Sequence, residues 1–301
     1  MDLTRPILYR GVNLNDGETA VEGIEGTIVQ RVRYAGVPGV GYTEKRALGD
    51  GRYASDVYQD WRLIQMDAVT HALSRGDLYD RLAAVVAAFT PRAAYVESPG
   101  DKGFLPLQFF WPTDDIAWGI DGEIQLFIRA RPRGQPDFVI DRDQTGGDDN
   151  DPLAVNWSVV LEAIDPRIYV LPRQDTDLTT ASSPVALTNR GVYPAPLDVI
   201  LVIPAASGTA TFTLTGAGAD MTLEIPNDAQ ARTVRVSSTD QVVTSKLGEN
   251  GTETLAMSLL VNSVANRQWP VVEPGGAISV GFSCDKTLGA GSRLMYYEAF
   301  A

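Results

Sequence analysis

The sequence has very few of the residues on which most catalytic and metal sites depend. Its 301 residues include one cysteine, Cys284, and one histidine, His71. A single cysteine excludes an intrachain disulfide and a cysteine-based zinc site. Because Cys284 ends a predicted strand over residues 277–284, we interpret it as a small core residue. His71 ends a predicted extended segment, and no nucleophile-elbow motif is present, so we interpret it as structural rather than catalytic.

Long apolar runs and an excess of positive charge are also missing. No apolar run approaches the roughly 20 residues that span a bilayer, and the N-terminus has no signal-peptide pattern. The formal net charge is −13, from 25 Lys and Arg against 38 Asp and Glu. We therefore expect a soluble protein that binds neither nucleic acid nor membrane.

Composition and length indicate a folded chain of two domains. The sequence is 44% hydrophobic and 21% charged, which is typical of globular proteins. A chain of 301 residues is long enough for two domains that each bury a core.

The most informative stretch lies near the middle of the chain. Apolar residues recur at every second position from Val155 to Ala163, which predicts a strand with one buried face. Asp165-Pro166 ends this strand, because proline cannot donate to a ladder. The polar, Ser/Thr-rich segment 171–184 that follows has the composition of a linker. We predict an N-terminal β-rich domain over 1–170, a linker over 171–184 and a C-terminal domain over 185–301.

The N-terminal half is predicted to contain short strands and a single helix. Glycines punctuate the first ~55 residues, and an extended segment follows over 59–71. Ser74 is a candidate helix cap with Asp77 three residues later, and Thr90-Pro91 ends the helix. The apolar face of this helix comprises Leu78, Leu82, Val85, Val86 and Phe89. Alanines fill the opposite face, which suits packing against either a sheet or a neighbouring subunit.

Further strands are predicted over 105–111 and 122–130, with a loop over 131–152. The C-terminal half is predicted to be antiparallel β throughout, with short strands separated by Gly, Pro and Asn turns. The predicted strands cover residues 189–204, 210–216, 221–226, 231–238, 277–284 and 293–300. This spacing predicts a β-sandwich.

These features together resemble a known family. A strand ends in an Asp-Pro-Arg-x-Tyr turn over 165–169, Trp269 precedes a Pro274-Gly275 turn, and an aromatic-rich strand closes the chain. The pattern is similar to the distal tail proteins of long-tailed, non-contractile bacteriophages (siphophages), which are components of the tail tip and baseplate.

The resemblance implies a mainly β fold, with an N-terminal β-rich ring-forming domain that has one α-helix and a C-terminal galectin-like β-sandwich. It further implies a homo-hexameric ring in the virion tail, assembled in the host cytoplasm. That ring would join the tail tube protein to the tail-tip hub protein. We expect no enzymatic activity, no catalytic residues and no cofactor, because the one histidine has no visible partners and no phosphate-binding, zinc or dinucleotide motif is present.

A carbohydrate-binding or carbohydrate-cleaving protein is the alternative interpretation, because β-sandwiches serve that function as well. Glycosidases need two carboxylates about 5–10 Å apart. Asp114, Asp115 and Asp121, near Trp111 and Trp118, form the best acidic and aromatic cluster. We favour an acidic loop whose two tryptophans anchor a core or an interface. Binding of a host-surface glycan stays open.

One acidic run has a partial metal-site pattern. Asp141, Asp143, Thr145 and Gly146 match the first half of a calcium-binding EF-hand loop. The second half does not match, since Pro152 stands where the bidentate glutamate belongs. We therefore predict no metal site and a solvated acidic loop, and calcium binding over 141–151 stays open.

Overall fold

The computed structural model describes residues 5–16, 18–20, 23–34, 39–40, 43–45, 52–54, 58–59, 62–97, 102–112, 123–139, 153–165, 167–179, 183–205, 208–218, 220–227, 230–261 and 269–300. The chain divides into two compact units, Met1–Ile168 and Tyr169–Ala301. The fold is mainly β, as the sequence predicts, with antiparallel sheets in both units.

The N-terminal unit contains the first thirteen described strands and two helices. Its strands are β1 Leu8–Tyr9, β2 Val12–Asn13, β3 Glu18–Ala20, β4 Gly23–Tyr34, β5 Gly39–Val40, β6 Thr43–Lys45, β7 Arg52–Ala54, β8 Tyr58–Gln59, β9 Arg62–Ala72, β10 Leu105–Pro112, β11 Glu123–Pro132, β12 Asp137–Val139 and β13 Leu153–Ala163. Its helices are α1 Arg75–Ala88 and α2 Pro91–Glu97.

Antiparallel pairing connects most of these strands in the order β2-β1-β10-β11-β13-β9-β4-β3, and β12 pairs with β13. The strands β5 and β8, and likewise β6 and β7, form two-stranded ladders. The centre of the sheet is the pair β9 and β13, which are in register over eleven residues from Leu153↔Ala72 to Ala163↔Arg62. The predicted strand with one buried face is confirmed, since Val155, Trp157, Val159, Leu161 and Ala163 are all buried.

The predicted helix is confirmed, and its start follows from a serine N-cap. Ser74 is the N-cap: its hydroxyl accepts the N–H of Asp77 at 3.1 Å and donates to the Asp77 carboxylate at 2.6 Å. The apolar face packs inward, with Leu78 against Leu153 and Val155. Burying one such side chain contributes roughly 1.5–3 kcal/mol.

The prediction of a single helix is wrong, because a second one follows. Pro91 does end α1, but it is also the first residue of α2, where its fixed φ and missing N–H are tolerated. Arg10 joins the two helices: its Nη1 donates to the carbonyls of Ala87 and Ala88, and its Nε pairs with Glu97. A cation at a helix C-terminus is favourable because of the helix dipole.

Aromatic side chains fill the core between the helix and the sheet. The rings of Tyr9 and Phe89 are stacked with their centroids 5.2 Å apart. The ring centroids of Phe89 and Trp157 are 5.8 Å apart. The indole N–H of Trp157 donates to the hydroxyl of Thr70 at 2.9 Å, and Thr70 also shares a hydrogen bond with Thr27. The buried indole N–H is therefore satisfied, and the two hydrogen bonds connect side chains of β13, β9 and β4.

The remaining elements belong to the second half of the chain. They are β14 Ile168–Val170, β15 Gln174–Asp177, β16 Val185–Asn189, β17 Ala195–Pro196, β18 Asp198–Ile203, β19 Gly208–Thr215, β20 Met221–Asn227, β21 Arg232–Ser237, β22 Val242–Leu247, β23 Thr254–Leu255, a 3₁₀ turn Met257–Leu259, β24 Val271–Val272, β25 Gly276–Cys284, β26 Arg293–Tyr296 and β27 Ala299–Phe300.

Two antiparallel sheets form most of this unit, as expected for a β-sandwich, and β17 and β24 form a separate two-stranded ladder. One has the order β15-β26-β18-β21-β22-β23 and the other β16-β25-β19-β20. Alternate residues of β18 and β19 are buried, so each sheet buries one face. The Tyr296 hydroxyl joins the two sheets, because it donates to the Thr188 carbonyl and accepts the Thr188 N–H.

Three segment predictions need correction. The predicted linker 171–184 is wrong for Gln174–Asp177, which pairs with Arg293–Tyr296 as the edge of the six-stranded sheet. The predicted loop 131–152 contains β12, and the predicted strand 189–204 is split among β16, β17 and β18. In each case pairing with a distant strand overrides the local polar or proline-rich composition.

A buried asparagine forms hydrogen bonds with the backbone of the last strand and of two other segments. Asn189 is 0% exposed, and its Nδ2 donates to the carbonyls of Tyr193 and Val272. Its Oδ1 accepts the N–H groups of Gly191 and Ala299. All four hydrogen-bonding positions of this side chain are therefore used.

The neighbouring residue adds an ion pair to this cluster. Arg190 forms a bidentate pair with the buried carboxylate of Glu298, which also accepts the backbone N–H of Arg190. Paired and hydrogen-bonded in this way, a buried charge is tolerated.

Candidate functional site

The single histidine lies in β9, opposite Gly26 and Ala154. Its Nδ1 is buried without a hydrogen-bond partner in the described part of the chain. Burial lowers the pKa of His71, so the neutral imidazole is favoured. Neither of these two cross-strand neighbours has a nucleophilic or acidic side chain.

Asp114, Asp115, Asp121 and Trp118 lie outside the described residues, as does the run 141–151 with Asp141, Asp143, Thr145 and Gly146. Trp111 is described: it lies near the end of β10 and is 48% exposed. Within the described ranges, no three His, Cys, Asp or Glu side chains are grouped so that they could hold a metal.

Cys284 is half-buried at the end of β25, so its interpretation as a core residue is only partly correct. Burial raises the pKa of its thiol, which favours the neutral form. No helix in the described chain is long and apolar enough to cross a membrane.

The outer surface of the helices is the first candidate for contact with another protein. Ala83, Ala84 and Ala87 of α1 are exposed, whereas Ala88 is buried. Tyr79 of α1 is 69% exposed, and Val96 of α2 is 70% exposed. The apolar face predicted for α1 is therefore core, and a subunit contact through its alanine face stays a prediction.

The free edge of β4 is the second candidate, and local hydrogen bonds define its limits. The strand β3 pairs only with residues 23–25 of β4, so the rest of that edge has no neighbouring strand in the described structure. Two side chains protect the first part of it: Asp16 accepts the N–H of Thr27 at 2.8 Å, and Asn15 accepts the N–H of Val29 at 3.0 Å. Arg81 of α1 pairs with Asp16 and holds it near the strand.

The protection stops at a β-bulge. The register of β4 against β9 shifts between Val29 and Arg31, and pairing then continues to Tyr34↔Ile64. Gln30, Arg31 and Arg33 are exposed, whereas Val32 is half-buried. No described strand neighbours this stretch of β4 on its outer side, so it is open to strand addition. The alternation of apolar and polar residues does not show that this edge is open, because an edge is defined by which strands pair.

Comparison with known proteins supports the fold. No protein-family model and no curated protein sequence matches the chain. Among solved structures, the chain is similar to SPP1 Dit (gp 19.1), described as a paradigm of the hub adsorption apparatus in Gram-positive-infecting phages, with a TM-score of 0.56 and 16% identity over 98% of this chain and 99% of that one. Two structures of the phage p2 baseplate in its activated conformation, with Sr and with Ca, match with TM-scores of 0.41, at 6% and 7% identity. Both cover 95% of this chain and 92% of theirs.

Proposed function

We propose that the protein is a structural component of the tail tip of a long-tailed bacteriophage. The observation that carries this proposal is the shared fold with SPP1 Dit, a phage hub protein, over nearly the whole of both chains. The sequence pattern points to the same family through independent features, namely the turn at residues 165–169 and the closing aromatic strand.

In this proposal the N-terminal unit assembles as a ring of six copies at the distal end of the tail. The ring connects the tail tube protein to the tail-tip hub protein, and the protein is part of the virion after assembly in the host cytoplasm. The open edge of β4 supports assembly through this unit, because ring closure covers strand edges that would otherwise promote aggregation.

We further propose that the chain is not an enzyme. The residue that most often serves as a general base, His71, has a lowered pKa but no acid or nucleophile opposite it in its sheet. Purified protein should not hydrolyse cell-wall polysaccharide or peptide. Turnover that is abolished by Asp114→Asn or Asp115→Asn, and not by the surface variant Asp137→Asn, would instead support the carbohydrate-cleaving alternative.

Oligomeric state tests the structural function most simply. Native mass spectrometry of the purified chain and negative-stain images should show closed six-membered rings. A monomer across a wide concentration range, with retention on a glycan column, would favour the carbohydrate-binding alternative.

A further inference from the structure

We propose that the open edge of β4, residues 30–34, accepts a strand from a second copy of this chain. The inference rests on the proposed ring and names the surface through which neighbouring copies meet. The two copies would be joined by main-chain hydrogen bonds between strands, and not by packing of the exposed surface of α1 and α2.

The direction of the backbone donors supports the proposal. Thr27 and Val29 face the core, and their N–H groups point away from β9 to Asp16 and Asn15. Residues of one strand that share a face direct their N–H groups to the same side. Val32 lies opposite the buried Met66 and so faces the core as well. Its N–H therefore points to the open edge.

The N–H of Arg33 has the opposite direction. Arg33 lies opposite Gln65, and its side chain faces away from the core. Its backbone N–H therefore points along the sheet toward β9. In the part of the chain that the structure describes, the outward N–H of Val32 has no acceptor. An unused donor on an edge strand is a template for pairing with another chain.

Two sheet edges in the second unit are protected, one by a covering segment of the chain and one by its short length. The outer edge of β20 is covered by its own chain, through the N–H of Val261 to the carbonyl of Thr222 and a bridge between Leu223 and Leu260. The edge strand β23 has only two residues. Short or covered edges are the usual protection against unwanted pairing. Residues 30–34 of β4 have neither among the residues that the structure describes.

Charge favours a second copy as the partner. Arg31 and Arg33 make this edge basic, and neither forms an ion pair in the described structure. Residues 1–168 carry 26 Asp and Glu against 17 Lys and Arg. A second N-terminal unit is therefore an acidic partner for a basic edge. Head-to-tail contacts of this kind form a ring when the rotation between neighbouring copies closes.

The test compares two proline substitutions one residue apart in the full-length chain. Val32→Pro removes a donor that points to the open edge, where proline is tolerated. Arg33→Pro removes a donor of the internal ladder and should lower the melting temperature of the monomer. Val32→Thr keeps the donor and the branched shape, and it serves as the matched control. Native mass spectrometry over a dilution series, with circular dichroism for folding, reads the result.

We expect Val32→Pro to keep the wild-type spectrum and to weaken each contact about tenfold or more, so that rings dissociate while Val32→Thr rings persist. If wild type and Val32→Pro form equally stable rings, the edge inference is wrong and the ring proposal stands. If wild type forms no ring, both are wrong. Should Val32→Pro fail to fold, the surface variant Arg31→Glu/Arg33→Glu decides: loss of rings supports the edge, and unchanged rings contradict it.

Discussion

Replacing Asn189 by leucine should destabilise the second unit severely. Leucine has a similar volume, so it excludes water from the site but satisfies none of the four backbone groups that Asn189 binds. Three of these hydrogen bonds are buried, to the carbonyl of Val272 and from the N–H groups of Gly191 and Ala299. A buried unsatisfied group costs about 1–3 kcal/mol. Because part of this cost is relieved by relaxation, we expect a loss of about 3–6 kcal/mol in the free energy of unfolding.

Urea unfolding read by pulse-labelling hydrogen exchange and mass spectrometry follows peptides of the two units separately. The control is Asn250→Leu, since Asn250 is exposed and its replacement should change stability by less than about 0.5 kcal/mol. The shift should be confined to peptides from residues 169–301. A loss below about 1 kcal/mol for Asn189→Leu would refute the reasoning that this side chain fastens the closing strand.

Three further predictions follow from buried groups and unit boundaries. Thr70→Val should cost about 1–3 kcal/mol of unfolding free energy in chemical denaturation, because it leaves the buried indole N–H of Trp157 without its acceptor, whereas Thr70→Ser should cost less. Burial raises the pKa of Asp198, so the folded state favours the neutral carboxyl. The neutral carboxyl contributes stability at low pH, and this contribution is lost as the pH rises through the pKa of the folded state. Asp198→Asn should therefore raise the melting temperature near neutral pH and not below about pH 3. Fragments 1–168 and 169–301 should each fold by circular dichroism, and light scattering should find assembly only in the first; an unfolded fragment would contradict the two-unit description.

Local patterns in the sequence predicted the elements whose stability is local or periodic. The alternation from Val155 to Ala163 predicted β13, and Ser74 with Asp77 predicted the start of α1, because face and cap depend on residues close in sequence. The second helix is not evident from the sequence, because a proline after Thr90 is typical of a helix end as well as of the first residue of a new helix.

Features that depend on distant residues could not be predicted in this way. The segment Gln174–Asp177 has a linker's composition, yet it is a strand because Arg293–Tyr296 lies beside it. The open edge of β4 is likewise defined by which strands pair and by the bonds of Asn15 and Asp16 across the chain. Alternation shows that a strand exists but not whether its edge is covered.

The most direct test of the central claim is electron cryomicroscopy of purified tails carrying this chain. We predict a ring of six copies at the distal end of the tail, built from the N-terminal units. A tail end without such a ring, or with this chain present only as separate monomers, would contradict the account.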